Sequence, residues 1–183
     1  MHRFPRRDEV DRSNWGRMSQ LSTEEHIFIA SDSGTQDPAA RDRFLANCMA
    51  PQKLTLRTDA QVMLIKNMDD TLVNGTIGKI LCFKDIVSYT QDGHSEGEVI
   101  GAAPAIAAYK KKDQAGPPKM FPVVDFMLPN GYKRRMLVLP EQWKSELPNG
   151  DIQASRMQAS DTVVMKLQRY SPGYSCHSFF HGP

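Results

Sequence analysis

The spacing of apolar residues changes character near residue 53. Before that point the apolar positions recur at helical spacing or in one short run. After it they alternate with polar ones. Val10, Trp15, Met18 and Leu21 follow the helical period, Pro5 lies upstream, and acids crowd the first turn, which predicts a helix over 8–21. His26 to Ala30 form a short apolar run suited to a buried strand, and Asp32-Ser33-Gly34 closes it with turn chemistry. Asp37-Pro38 then opens a second helix, with aspartate as N-cap and proline at the first helical position. Phe44, Leu45 and Cys48 give it one apolar face, and Pro51 ends it.

From residue 53 onward, the runs KLTLR, QVMLIKN, GTIGKILCF, PVVDFML and YKRRMLVLP read as short strands. Asn74-Gly75 separates two of them and Asn130-Gly131 another two, and both residues of an Asn-Gly pair tolerate positive φ. Strands this short, joined by tight turns, predict a small antiparallel barrel. Val62 and Leu64 should face one side of their strand and Met63 and Ile65 the other, so both faces need cover. Residues 88–119 break the alternation and read as a long, mobile insertion containing Lys110-Lys111-Lys112. One more strand is expected over IQASRMQ. After residue 158 the periodicity dissolves, and a poorly packed tail is predicted.

Composition narrows the class. Hydrophobic residues make up 40% and charged residues 24%, as in an ordinary soluble chain, and the net charge of +2 confines any nucleic-acid surface to a local patch. Cys48, Cys82 and Cys176 form no C-x-x-C pair, and His177 and His181 lie in a Ser-, Gly- and Pro-rich tail, so no metal site is expected. No apolar run is long enough to span a membrane, and the first residues lack the apolar core of a secretory signal. No G-x-x-x-x-G-K-[ST], G-x-G-x-x-G or G-x-S-x-G occurs. Asp69-Asp70 reads as a solvated turn. These residues point to a binding or structural module without catalytic residues, cofactor or bound small molecule of its own.

Two segments carry a family resemblance. The first is Ala60-Gln61-Val62-Met63-Leu64-Ile65-Lys66-Asn67-Met68-Asp69, followed by Leu72-Val73-Asn74-Gly75-Thr76-Ile77-Gly78-Lys79-Ile80. The second is Pro122-Val123-Val124-Asp125-Phe126, then Leu137 to Trp143, then Ala154-Ser155-Arg156-Met157-Gln158. Together with Phe4 to Asn14, which is similar to a motif IV region, they resemble the petite-integration-frequency (PIF) family of 5′-to-3′ DNA helicases of superfamily 1B, over about residues 3–158. Asp59 departs from the pattern, which usually has glycine there. After residue 158 the chain departs from the family's coupling motif. An altered reading frame, a retained intron, a decayed gene copy or a lineage-specific tail would each explain that, and the charged start reads as cut from something longer.

The resemblance implies an α+β chain in which an SH3-like barrel, the 2B domain, is appended to a partial RecA-like α/β motor domain. Residues 1–52 would be the start of the second motor domain, 53–147 the barrel with its insertion, and 148–183 a return strand and aberrant tail. It further implies a fragment of an ATP-dependent helicase acting in DNA repair, recombination and telomere maintenance, inactive alone. ATP and Mg would be needed only in the intact motor. The partner would be single-stranded DNA, weakly bound by a monomer, at a nuclear or alternatively a mitochondrial address. Candidate DNA-contacting residues are Lys66, Asn67, Asn74, Lys79, Arg134 and Arg156, with Lys110–Lys112, Lys133 and Arg135 as further cations. Arg7 lies where the family's arginine approaches the nucleotide phosphates. The competing reading is a free-standing barrel that binds DNA or protein without a motor.

Overall fold

The computed structural model describes residues 7–34, 38–46, 48, 50–95, 98–100, 118–146, 152–158 and 163–164. The first helix, α1, spans Arg7–Met18 with Asp8 and Glu9 in its first turn and Arg17 in its last, so its charges complement the helix dipole. Val10, Asn14 and Met18 recur every four residues and form its buried face. Trp15, expected on that face, is 73% exposed. It follows Asn14 directly and so turns about 100° away from the buried stripe.

Strand β1 (Glu25–Ile29) pairs antiparallel with β3 (Lys53–Arg57), placing Phe28 opposite Leu54 and His26 opposite Leu56. The expected wholly buried strand is in fact two-faced: His26 and Phe28 are half-buried, while Ile27 and Ile29 are exposed. The His26 ring stacks on Phe83 with centroids 3.7 Å apart, which joins β1 to the larger sheet. Strand β2 (Ser31–Ser33) and helix α2 (Pro38–Ala46) follow. β2 pairs with a strand from far along the chain, giving a three-stranded sheet in the order β2-β10-β9. Here β9 is Glu141–Glu146 and β10 is Ile152–Gln158.

The larger sheet has six strands, in the order β11-β4-β5-β7-β8-β6. These are β4 (Gln61–Leu64), β5 (Ile77–Lys84), β6 (Val99–Ile100), β7 (Phe121–Met127), β8 (Lys133–Val138) and β11 (Val163–Val164). Alternation sorts their side chains to two faces. Val62, Leu64, Ile80, Val124, Phe126, Met136 and Val138 join Leu54, Leu56 and Met18 in the main core. Phe121, Val123, Leu137 and Leu139 form a second cluster with Ile86 and Tyr89 of helix α3 (Ile86–Gln91). This second cluster is why β7 reads as a nearly continuous apolar run. Met63 and Ile65 are buried as well as Val62 and Leu64, as the two-faced reading of that strand expects.

Mixed α+β architecture, mostly strand, is what the described residues show. The expected closed barrel is not among them: β11 and β6 are the edges of the six-stranded sheet, and no pairing joins them. β3 and β9, both counted into the barrel from sequence, pair instead with β1 and β10. The stretch read as an insertion begins with ordered elements. Residues 88–91 belong to α3, and Val99–Ile100 run parallel to Leu137–Val138. Asp85 starts α3, its carboxylate accepting from the Val87 and Ser88 amides. A six-residue helix is too short for its period to show in the sequence. Lys110–Lys112, Cys176, His177, His181 and most of the tail lie outside the described residues.

Two turns explain their residues. In the β7–β8 hairpin the Gly131 amide donates to Leu128 O at 3.0 Å and the Leu128 amide to Tyr132 O at 2.8 Å, with Gly131 at φ +83°. Asp59 sits at φ +69°, the sole non-glycine positive φ among the described residues. This left-handed position favours glycine, and aspartate is among the few side chains that tolerate it.

Candidate nucleic-acid interface

Asn74-Gly75 does not close a two-residue hairpin. β4 ends at Leu64 and β5 starts at Ile77, so a twelve-residue connection lies between them. Its own polar groups shape it. Asp69 Oδ1 accepts from the Thr71 amide (2.8 Å), the Thr71 hydroxyl (2.7 Å) and the Leu72 amide (2.9 Å). Arg134 Nη1 donates to Asp69 Oδ2 at 2.6 Å. The Thr71 hydroxyl, the loop amides and Arg134 hold the Asp69 carboxyl well below the usual carboxylate range. The Asn74 amide donates to Asn67 Oδ1 at 2.7 Å, and the Gly75 amide to Leu64 O at 2.8 Å. Leu72 is fully buried and pins the loop to the main core. Among the described residues no group of acids, histidines and cysteines gathers as a metal site.

The sequence-predicted site residues separate into three places. Lys66, Asn67, Asn74 and Arg134 gather on or beside this loop. Lys66 forms an ion pair with Glu141 of β9, Asn67 braces the turn, and Arg134 is bound to Asp69 and to Thr71 Oγ1 at 2.9 Å. Lys79 lies apart, on β5, with its ammonium 2.7 Å from Asp59. Arg156 is elsewhere altogether. It is 7% exposed, Nε and Nη2 donate to the two Asp32 oxygens at 2.7 and 2.8 Å, and Nη1 donates to Ala50 O at 2.8 Å. It ties β10 to β2 and to the chain after α2, and it is no surface contact. Arg7 opens α1, and its side chain lies outside the described ones.

A cleft of about 800 Å³ opens between the last turn of α1 and the six-stranded sheet. Arg17 of α1, Lys79 of β5 and Lys133 of β8 line it together with Gln20 and Gln61. Ile77, Leu81 and Met127 supply apolar wall. Two carboxylates, Asp59 and Asp125, also reach it, but Asp125 is held by Arg135 through contacts of 2.8 and 3.3 Å. Among the described residues neither Arg17 nor Lys133 has an ion-pair partner. Three cations from three elements thus converge on one concave surface that can take an anionic, partly apolar chain. Tyr132, 73% exposed, follows the hairpin turn directly before Lys133. Sequence reading missed Arg17, Gln20 and Tyr132. Arg17 looked like one charge among many on a charged helix, and Tyr132 stood at the start of a run read only as a strand.

A model of the DNA helicase Pif1 2B domain matches residues 41–83. The ATP-dependent DNA helicase PIF1 of Emericella nidulans is 42% identical over 170 residues, covering 85% of this chain and 23% of that protein. The chain belongs to the PIF family of DNA helicases. The crystal structure of Pif1 helicase from Candida albicans matches with a TM-score of 0.73 at 30% identity, over 91% of this chain and 34% of that one. Pif1 helicase from Bacteroides, in complex with ADP-AlF3 and ssDNA, shares the fold at a TM-score of 0.53 and 12% identity, over 92% of this chain and 30% of that one. The chain therefore spans about a quarter to a third of these relatives. The stretch matching the PIF-family 2B model runs from α2 through β3, β4 and the ordered loop into β5, and includes Lys66, Asn67, Asn74 and Lys79.

Proposed function

We propose that this chain is the portion of an ATP-dependent 5′-to-3′ DNA helicase that carries the 2B domain and the start of the second motor domain, and that the cleft below α1 receives single-stranded DNA. Residues 53–147 are read as the SH3-like 2B unit, and residues 1–52 as the start of the partial RecA-like unit. The observation that carries the DNA reading is the convergence of Arg17, Lys79 and Lys133 on a single cleft with apolar wall. Phosphates meet the cations, and bases pack on Met127 and Ile77. Lys66, Asn67, Asn74 and Arg134 do not line this cleft, and any contact they make with DNA would be separate from it.

The sequence holds no P-loop, so its own residues do not cradle a triphosphate, and ATP and Mg belong to the intact motor. Arg7 would approach the nucleotide there, where a guanidinium stabilises phosphoryl charge. The isolated chain binds DNA and hydrolyses no ATP. Its setting is nuclear or mitochondrial DNA maintenance.

Fluorescence anisotropy of labelled oligothymidine tests this reading. Two or three phosphate contacts give a salt slope of about 0.7 per contact and an affinity near the non-specific range, roughly 10⁻⁴–10⁻⁶ M. Replacing Lys79 and Lys133 together with alanine should abolish binding. No binding at low salt, or an unchanged double variant, refutes the cleft.

A further inference from the structure

We infer that Asp59 is a built-in competitor for the strand: an anion of the protein that occupies Lys79 and must be displaced by a DNA phosphate, which keeps binding in the cleft weak and reversible. This rests on the reading of the cleft as a single-strand site. Three observations support it. First, Asp59 holds a backbone conformation that disfavours a side chain, at φ +69°, yet it bears a charged one. Strain of this kind collects where a side chain has work to do at a site.

Second, the backbone aims that side chain. The Asp59 amide donates to Ile80 O at 2.9 Å, the Ile80 amide to Ala60 O at 3.0 Å, and the Ala60 amide to Arg57 O at 3.2 Å. This turn is clamped to β5 one residue beyond Lys79, so the carboxylate meets the ammonium at 2.7 Å by construction. Third, the pair is accessible. Its side chains are 58% exposed for Lys79 and 52% for Asp59, so water screens the attraction and the pair opens readily. Lys79 therefore remains available to a phosphate, but only in exchange for Asp59.

The neighbours single out Asp59. Gln61 and Asp125 stand opposite Lys79 in the two adjoining strands. Gln61 is uncharged, and Asp125 is already held by Arg135 at 2.8 Å. Arg17 and Lys133 face the same cleft with the sign that attracts DNA. Asp59 is then the carboxylate left beside a phosphate seated on Lys79, and two like charges at contact distance repel.

The test uses the full chain, labelled oligothymidine and four proteins: wild type, Asp59→Asn, Lys79→Ala and the double variant. Asparagine tolerates the same positive φ, so Asp59→Asn removes charge with little change in backbone preference. Its dissociation constant should fall about three- to tenfold at low salt, with a salt slope steeper by up to about 0.7. In the Lys79→Ala background the same change should have a much smaller effect. Asp59→Gly relieves the backbone as well, and should match Asp59→Asn in affinity while differing from it in melting temperature. If wild type binds and Asp59→Asn binds no better, the competitor role is wrong while the cleft reading stands. Equal tightening with and without Lys79 makes Asp59 a general repulsive charge and overturns the exchange. If none of the four binds, the cleft reading falls and the inference with it.

Discussion

Replacing Arg156 with methionine should unfold much of what joins the two ends of the described chain. The guanidinium bonds both oxygens of Asp32 at 2.7 and 2.8 Å and reaches Ala50 O at 2.8 Å and Leu45 O at 3.4 Å. Both partners are withdrawn from water, with side-chain exposures of 8% for Arg156 and 16% for Asp32. Methionine fills the space but leaves the Asp32 carboxylate without the Arg156 guanidinium and removes the donor that Arg156 supplies to Ala50 O; Leu45 O still accepts from the Cys48 amide at 3.1 Å. Breaking one side of a buried pair costs about 3–5 kcal/mol. That is a large part of the roughly 5–15 kcal/mol that stabilises a domain. In urea, with a slope of about 2 kcal/mol per molar, the midpoint should drop by about 2 M. Asp32→Asn combined with Arg156→Met removes the stranded charge, so the double variant should be far more stable than the sum of the single effects predicts. A cost for Arg156→Met below about 1 kcal/mol, or strict additivity in the cycle, would refute a buried structural pair and return Arg156 to the surface contacts.

Two further outcomes follow from the packing and the charges. A β-carbon on Gly78 would lie 2.5 Å from Val124 Cγ1, 2.8 Å from Phe126 Cδ1 and 3.1 Å from Asp125 O, so Gly78→Ala should cost about 1–3 kcal/mol by forcing β5 and β7 apart; a melting temperature equal to wild type would show that the strands yield freely. Asp32 and Asp69 are both held below the usual carboxyl value of 3.8, Asp32 chiefly by its Arg156 hydrogen bond and Asp69 chiefly by the Thr71 hydroxyl. Their folded values are depressed, so their stabilisation is fully present above about pH 4 and is lost as pH falls further through the folded values. Acid unfolding monitored by circular dichroism should therefore be shallower in Asp32→Asn than in wild type, and an identical acid limb would contradict the assignment.

The longer elements were legible in the chain because each depends on neighbours a few residues apart, whereas the short β2, α3 and β6, and also β9, were not. The period of Val10 and Met18, the alternation of Val62 with Leu64, the Asp37-Pro38 start and the Asn130-Gly131 turn are local signals. The long match from Ala60 to Ile80 was legible too, since it consists of residue identities. Partners distant in sequence were not. That β3 pairs with β1, that β10 returns to β2, and that no pairing among the described residues joins β11 to β6 depend on which edge meets which in space. Charge shows the same divide. Lys66, Lys79, Arg134 and Arg156 look alike as letters, yet folding gives each a carboxylate from a different part of the chain: Glu141, Asp59, Asp69 and Asp32. Burial makes the last pair structural, while the Lys79 pair stays exposed to water. Whether a cation holds the fold or meets a strand is thus set by the distance to its carboxylate and by access to solvent, and both are properties of the folded chain alone.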